Sequence, residues 1–230
     1  MTRKLLFDID DTLFPSSEFA ESARRNAVRA MVEAGVDMDE EELFRMLMGL
    51  VGEKGSNYNL HFDDLCAKLE TSRPAKYVAA AVRAYHATKE AIQPYPMVPR
   101  TLMALRDSGH EIYVATDGKA VKQWDKLLRM GIHLFFQDVF VSEELGVSKK
   151  EGPLFFKRAL EMLSAHPEEC VMIGDRPDAD IAPAKEAGLW TIRVLRGPYS
   201  RKEWPPDEKL KAHAEIKSLP ELPATLAKLK

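Results

Sequence analysis

Short apolar runs that close on small or polar residues recur along the chain, at Lys4 to Phe7, Glu111 to Thr116, Val139 to Ser142, Cys170 to Asp175 and Thr191 to Leu195. They are apolar without strict alternation, as expected of strands buried on both faces of a parallel sheet. Helical spacing fills the intervals. Val98, Leu102 and Leu105 precede Ser108-Gly109; Val121, Trp124, Leu127 and Leu128 precede Gly131; Phe155, Phe156, Ala159, Leu160 and Leu163 precede Pro167; Ile181, Ala184 and Ala187 precede Gly188. Apolar residues three and four apart line one face of a helix. Strand and helix in alternation imply right-handed crossovers and a doubly wound, mostly parallel α/β sheet. The chain end adds a predicted edge strand at Ala214-Glu215-Ile216 and a packing helix through Leu219, Leu222, Leu226 and Leu229.

The stretch from Pro15 to Pro94 differs, because it offers helical stripes and no convincing strand. Phe19, Ala23, Ala27, Ala30 and Ala34 lead to Gly35; Leu43, Met46, Leu47 and Leu50 follow Asp39, which with Glu42 forms a candidate capping box; Phe62, Leu65, Cys66 and Leu69 form a third stripe; Tyr77, Val78, Ala81, Val82 and Tyr85 form a fourth. The expected organisation is an α/β core of residues 1–14 and 95–230, interrupted by a helical insert of residues 15–94.

Composition narrows the classes of function. The chain has 230 residues, 45% of them hydrophobic, and a formal net charge of −3. That apolar fraction supports a packed core. No basic block marks a nucleic-acid surface, so no nucleic-acid partner is expected. No apolar run approaches the length of a membrane span, and Asp8 follows the first apolar run too soon for a signal peptide, so a cytoplasmic protein without a membrane partner is expected. Cys66 and Cys170 lack ligand-spaced partners and read as small buried hydrophobes.

Candidate chemistry collects where the predicted strands end. Asp8-Ile9-Asp10-Asp11-Thr12 follows the first strand. Side chains two apart on an extended segment share a side, so Asp8 and Asp10 are expected to project together from the carboxyl end of the sheet, where open α/β sheets bind ligands. Gly174-Asp175 ends another strand. In the same acidic segment, Asp178 and Asp180 are accounted for by the start of a helix, with Asp180 as its N-cap; Asp175 is not. If the two strands are neighbours, Asp8, Asp10 and Asp175 converge. Each like-charge pair at ~4 Å costs on the order of 4 kcal/mol at an effective dielectric near 20. A cation is then required, and an all-oxygen donor set suits Mg²⁺. Thr116-Asp117-Gly118 offers a hydroxyl and turn N–H groups to a phosphate, although the same triplet also makes an ordinary turn. Of the lysine pair Lys149-Lys150, one ammonium could balance the carboxylates; a solvated pair is the plainer alternative.

Taken in order, these segments resemble the haloacid dehalogenase superfamily, chiefly a phosphatase family. The resemblance is carried by Phe7-Asp8-Ile9-Asp10-Asp11-Thr12-Leu13, Ala115-Thr116-Asp117-Gly118, Lys149, and Gly174-Asp175 with Asp180 and Ile181. It implies a Rossmann-like core with a helical cap in the insert. It makes Asp8 a nucleophile that becomes an aspartyl phosphate, and Asp10 the general acid and later the base. Thr116 would hold phosphoryl oxygens, with Asp117 and Gly118 beside it in the substrate-binding turn. Lys149 would neutralise charge. Asp8, Asp175 and the backbone carbonyl of Asp10 would ligate Mg²⁺, supported by Asp180. Lys150 stands where many relatives have proline, which leaves Lys150 as the alternative to Lys149. Arg176 and Asp117 also stand where smaller or amide residues are frequent.

The expected activity is Mg²⁺-dependent hydrolysis of a small phosphorylated metabolite. A dehalogenase of the same fold has no use for the acid Asp10, because a leaving halide needs no proton. A phosphomutase differs only in what accepts the phosphoryl group. A signalling receiver or binding module shares the phosphorylatable Asp but not the large insert. Substrate choice is expected to lie in the insert, with Arg24, Asn57, Tyr58, Asn59 and His61 as exposed candidates.

Overall fold

The computed structural model describes residues 2–56, 58–200 and 211–229. The chain divides into two compact units, one of Met1–Ser17 with Gln93–Lys230 and the other of Glu18–Ile92.

In chain order, β1 (Lys4–Phe7) is followed by four helices, α1 (Ser16–Glu33), α2 (Glu40–Lys54), α3 (His61–Lys68) and α4 (Pro74–Lys89). Then come α5 (Val98–Asp107), β2 (Glu111–Thr116), α6 (Ala120–Arg129), β3 (Asp138–Val141), α7 (Ser142–Leu145) and α8 (Leu154–Leu163). The chain continues through β4 (Cys170–Gly174), α9 (Ala182–Glu186), β5 (Trp190–Val194), β6 (Ala214–Ile216) and α10 (Leu222–Leu226). The strands lie in one parallel sheet in the order β3-β2-β1-β4-β5-β6. Leu5, Leu6, Phe7, Val171, Met172 and Ile173 are buried throughout, which accounts for the unbroken apolar runs of the central strands.

The order places β1 between β2 and β4, so the connections leave β1 in opposite directions. That is a topological switch point, and its crevice opens beyond the carboxyl ends of β1 and β4. The Asp8 amide donates to the Ile173 carbonyl at 2.9 Å, extending the β1–β4 ladder one residue past Phe7. Asp8 is thereby fixed beside the end of β4.

Strand boundaries move by single residues from the sequence expectation. Ser142 opens α7 instead of ending β3, and Trp190 joins β5 while Leu195 leaves it. A larger difference concerns α6. Of its apolar stripe only Leu127 is fully buried; Val121, Trp124 and Leu128 are exposed. The buried face instead carries Gln123, whose amide nitrogen donates to the Asp117 carbonyl at 2.8 Å. A short polar helix face was recruited to hold a loop, which hydrophobic spacing does not register.

In the helical unit, the Asp39 side chain caps α2 by accepting from the Glu41 and Glu42 amides. Ala27, Met31, Leu43, Leu47, Leu65 and Ala81 meet in its core. Asn59 is exposed, Arg24 and Tyr58 are half-buried, and Asn57 lies outside the described residues. His61 is buried, contrary to expectation, with its ring edge-on to Tyr58. As the first residue of α3 it starts the inward face that Leu65 and Cys66 continue.

Phe155 and Phe156 stack edge to face in the core beneath the sheet. Phe155→Ala is expected to lower stability by about 3–5 kcal/mol, the usual cost of removing a buried aromatic ring. Urea denaturation followed by circular dichroism measures it, as a lower midpoint at unchanged slope.

Candidate active site

Three strand ends and the loop after α7 supply the site. Beyond β1 stands Asp8, beyond β4 Asp175, at the end of β2 Thr116, and in the loop after α7 Lys149. All four are buried. The Lys149 ammonium donates to Asp8 Oδ1 at 2.6 Å, to Asp180 Oδ1 at 2.6 Å and to the Ala115 carbonyl at 3.1 Å. Its three protons thus have three acceptors. Lys150, by contrast, is exposed.

Asp180 reaches this point from a single wide turn, Pro177–Ile181, that precedes α9. Its second oxygen accepts from the Arg176 amide at 3.0 Å. It is therefore a brace across its own turn and not the N-cap of α9. The brace presses on Gly174, where a Cβ would lie 2.3 Å from Asp180 Oδ2. Only glycine fits, for reasons of close approach. Asp178 turns away and pairs with Arg176 at 2.6 Å, which holds its carboxyl below the ordinary value against the opposing effect of burial.

Ligand oxygens of Asp8, Asp175 and Asp180 lie within 4.8 Å of one another. Asp175 Oδ2 is buried and has no hydrogen-bond partner. Burial, then the charges of Asp180 and Asp8, push the Asp175 carboxyl up to about 9. Burial likewise raises Asp8 to about 7, against the opposing charge of Lys149 and with Asp180 and Asp10 adding to the rise. Burial alone would lower the Lys149 ammonium, but Asp180, Asp8 and Asp117 hold it above its usual value. One buried ammonium does not neutralise three carboxylates. An unpartnered oxygen in an all-oxygen set fits a hard divalent cation. Because Lys149 and the Arg176 amide already occupy both oxygens of Asp180, Asp8 and Asp175 are the side chains with ligand capacity to spare.

Asp10 does not join this cluster. β1 ends at Phe7, so strand alternation no longer governs residue 10. Asp11 takes a left-handed conformation, φ 55°, and its carboxylate accepts from the Ser17 amide and hydroxyl at 3.0 and 2.6 Å. Across this turn Asp10 is more exposed, and Lys126 of α6 donates to both of its carboxylate oxygens at 2.7 Å. Sequence reasoning missed Lys126. The available signal was its place three residues after Gln123, on the same side of the helix.

The turn after β2 also differs from a simple phosphate cradle. The Gly118 amide donates to Ser142 Oγ at 2.8 Å, and the Ala120 amide to Glu143 at 2.9 Å. Asp117 accepts from the Ser148 hydroxyl at 3.0 Å and from the Lys149 amide at 2.8 Å. These contacts tie the turn to the Lys149 loop. Thr116, at the strand end, remains the side-chain hydroxyl of the triplet.

A switch-point crevice lined by two strand-end aspartates, a braced lysine and a threonine has counterparts among known proteins. A family model for haloacid dehalogenase-like hydrolases matches residues 3–188, and the chain belongs to that family. It is 52% identical over 206 residues to a glyceraldehyde 3-phosphate phosphatase of Methanopyrus kandleri, covering 88% of each. It is 46% identical over 204 residues to a protein of the same description from Methanocaldococcus jannaschii, covering 88% of this chain and 89% of that one. Among solved structures, Bacillus subtilis YfnB bound to magnesium is 25% identical, with a TM-score of 0.69 over 98% of both chains. A Thermotoga maritima structure described as a β-phosphoglucomutase shares the fold, with a TM-score of 0.73 at 18% identity over the whole of both chains. The chain is a phosphoric monoester hydrolase acting on a small phosphorylated metabolite, and among the described residues no helix is long and apolar enough to cross a membrane.

The raised carboxyls set a pH dependence for the metal-free protein. Ordinary aspartates titrate near ~3.9 in an unfolded chain. A folded value above that means folding takes up protons, so stability is greatest below ~4 on this account and is lost as pH rises through about 7 and about 9. Melting temperatures in excess chelator are expected to fall over that range, and saturating Mg²⁺ is expected to oppose the fall. Asp175→Asn should flatten the chelator curve and abolish the Mg²⁺ response. A wild-type melting temperature indifferent to Mg²⁺ at pH 8 would remove the cation site.

Proposed function

We propose that this hydrolase is a Mg²⁺-dependent glyceraldehyde 3-phosphate phosphatase working through phospho-Asp8. The observation that supports the chemistry best is the separation of two nearby aspartates. Asp8 is buried and held by Lys149, whereas Asp10 is more exposed and held by Lys126. Two carboxyls in different surroundings suit two different roles. The substrate is supported by the relatives at 52% and 46% identity.

In this reading Asp8 attacks phosphorus in line with the ester oxygen. Its carboxylate forms the new P–O bond while the electron pair of the breaking bond passes to the leaving oxygen. An alkoxide is a poor leaving group, so Asp10 delivers a proton to it. Asp10 then removes a proton from water, which attacks phospho-Asp8 and releases phosphate. Lys149 keeps Asp8 oriented, and Thr116 donates to a phosphoryl oxygen. Mg²⁺ held by Asp8, Asp175 and the Asp10 carbonyl would neutralise phosphoryl charge. Asp180, already braced, keeps Asp175 and Lys149 in place. The α/β unit carries the chemistry, the helical unit takes the role of cap, and the compartment is the cytoplasm.

Phosphate release from glyceraldehyde 3-phosphate and a panel of small alkyl phosphates, with Mg²⁺ or chelator, tests the assignment. Preference for the aldehyde and loss of turnover in chelator are expected; preference for another ester would reassign the substrate. Asp8→Asn should abolish turnover while the protein stays folded. Asp10→Asn should slow alkyl ester cleavage by roughly 10²–10⁴-fold, the range for general acid–base catalysis. With a nitrophenyl phosphate the same variant should release a burst of phenol and then stall as the acyl phosphate. Equal single-turnover losses on alkyl and aryl esters would deny Asp10 the acid role.

A further inference from the structure

Lys126 has no part in the scheme so far, yet its ammonium lies 2.7 Å from both oxygens of Asp10. It reaches them from α6 across 116 residues of sequence. The helix face it occupies is anchored on both sides. Leu127 is fully buried, and one turn earlier Gln123 is bonded to the Asp117 carbonyl. The Lys126 ammonium also lies over the ring of the buried Phe14, 5.8 Å from its centroid. Lys126 is therefore delivered to Asp10 from a fixed platform. Partly exposed ion pairs contribute little to folding, so the fold has small need of this one.

Asp10 itself lacks such a platform. It stands in a turn past the end of β1, and its side chain has no other hydrogen bond among the described residues. A carboxylate gripped through both oxygens by one ammonium is confined to one orientation. Of the two tasks given to Asp10, only the second begins with the ionised carboxylate. We infer that Lys126 is a positioning residue for Asp10 in the second half-reaction, holding the carboxylate where it takes a proton from the water that attacks phospho-Asp8. In that step one water O–H bond breaks, its proton goes to Asp10, and the hydroxide oxygen bonds to phosphorus. The P–O bond to Asp8 breaks with its electron pair returning to the Asp8 carboxylate. Lys126 gains and loses no proton. This inference rests on the acid–base assignment of Asp10 made above.

The half-reactions are separable in steady-state kinetics. With an aryl phosphate, kcat/KM reports steps up to formation of the acyl phosphate, and kcat reports its hydrolysis when that is slower. Lys126→Met is expected to lower kcat at least tenfold with little change in kcat/KM, so that KM falls in parallel. Rapid quench should show a phenol burst close to the enzyme concentration, with acid-stable trapping of phospho-Asp8 during turnover. Lys126→Arg should recover much of kcat, and Lys122→Met, on the exposed face of α6, should match wild type. Asp10→Asn, run alongside, separates the two possible failures. Without a burst and stall in that variant, the acid–base assignment of Asp10 falls and the inference falls with it. If Asp10→Asn stalls but Lys126→Met lowers kcat and kcat/KM equally, or lowers neither, Asp10 keeps its role and Lys126 loses the one proposed.

Discussion

The site depends on one buried ammonium. Lys149 sits between Asp8 and Asp180 at 2.6 Å from each, away from solvent. Taking these charges out of water costs several kcal/mol per ion, and the arrangement survives because all three ammonium protons are satisfied. Removing one partner of a buried pair typically costs ~3–5 kcal/mol, since the other charge is left stranded. Lys149 is thus structural and chemical at once. The remaining contacts of the loop extend from it: Asp117 fixes its amide, Ser148 fixes Asp117, and Asp180 is pinned from behind by the Arg176 amide.

That constraint explains why the neighbouring residues are small or bent. Gly174 carries no side chain because Asp180 occupies the volume a Cβ would need. The wide turn at Pro177–Ile181 lets Asp180 fold back toward the strand it follows. The orphaned oxygen of Asp175 is the counterpart of this tightness. Among the described residues no donor reaches this oxygen, and an unpartnered carboxylate oxygen in an all-oxygen set fits a divalent cation.

The sheet was legible in the sequence because its central strands are apolar on both faces, and an aspartate follows the ends of β1, β2 and β4. Asp8 and Asp175 were legible for the same reason, as polar residues placed just beyond buried runs, whereas Lys149 was one of a pair with Lys150 that the family resemblance, and no buried run, favoured. Two things were not. Asp10 was expected beside Asp8 by the two-residue period of a strand, but the strand had already ended and the left-handed Asp11 redirects the chain. Lys126 was invisible because the outward stripe of α6, Val121, Trp124 and Leu128, is more apolar than its inward face. Hydrophobic periodicity assigns burial by apolarity, and here a buried glutamine and a lysine at the site's edge had the better partners.

The parallel pairing of β1 with β4 has a consequence for how the protein is made. Leu5 lies beside Val171 and Phe7 beside Ile173, so neighbours in space are separated by more than a hundred residues of chain. Synthesis proceeds from the first residue, and β1 leaves the ribosome long before β4 exists to cover it. The helical unit, Glu18–Ile92, is continuous in sequence and can collapse as soon as it emerges. Until the second half follows, the apolar β1 has no β4 to pair with. Closing so long a loop is slow, and of all the strand pairs in the sheet β1 with β4 spans the longest stretch of chain, so the ladder that fixes Asp8 beside β4 is the one whose closure costs the most chain entropy.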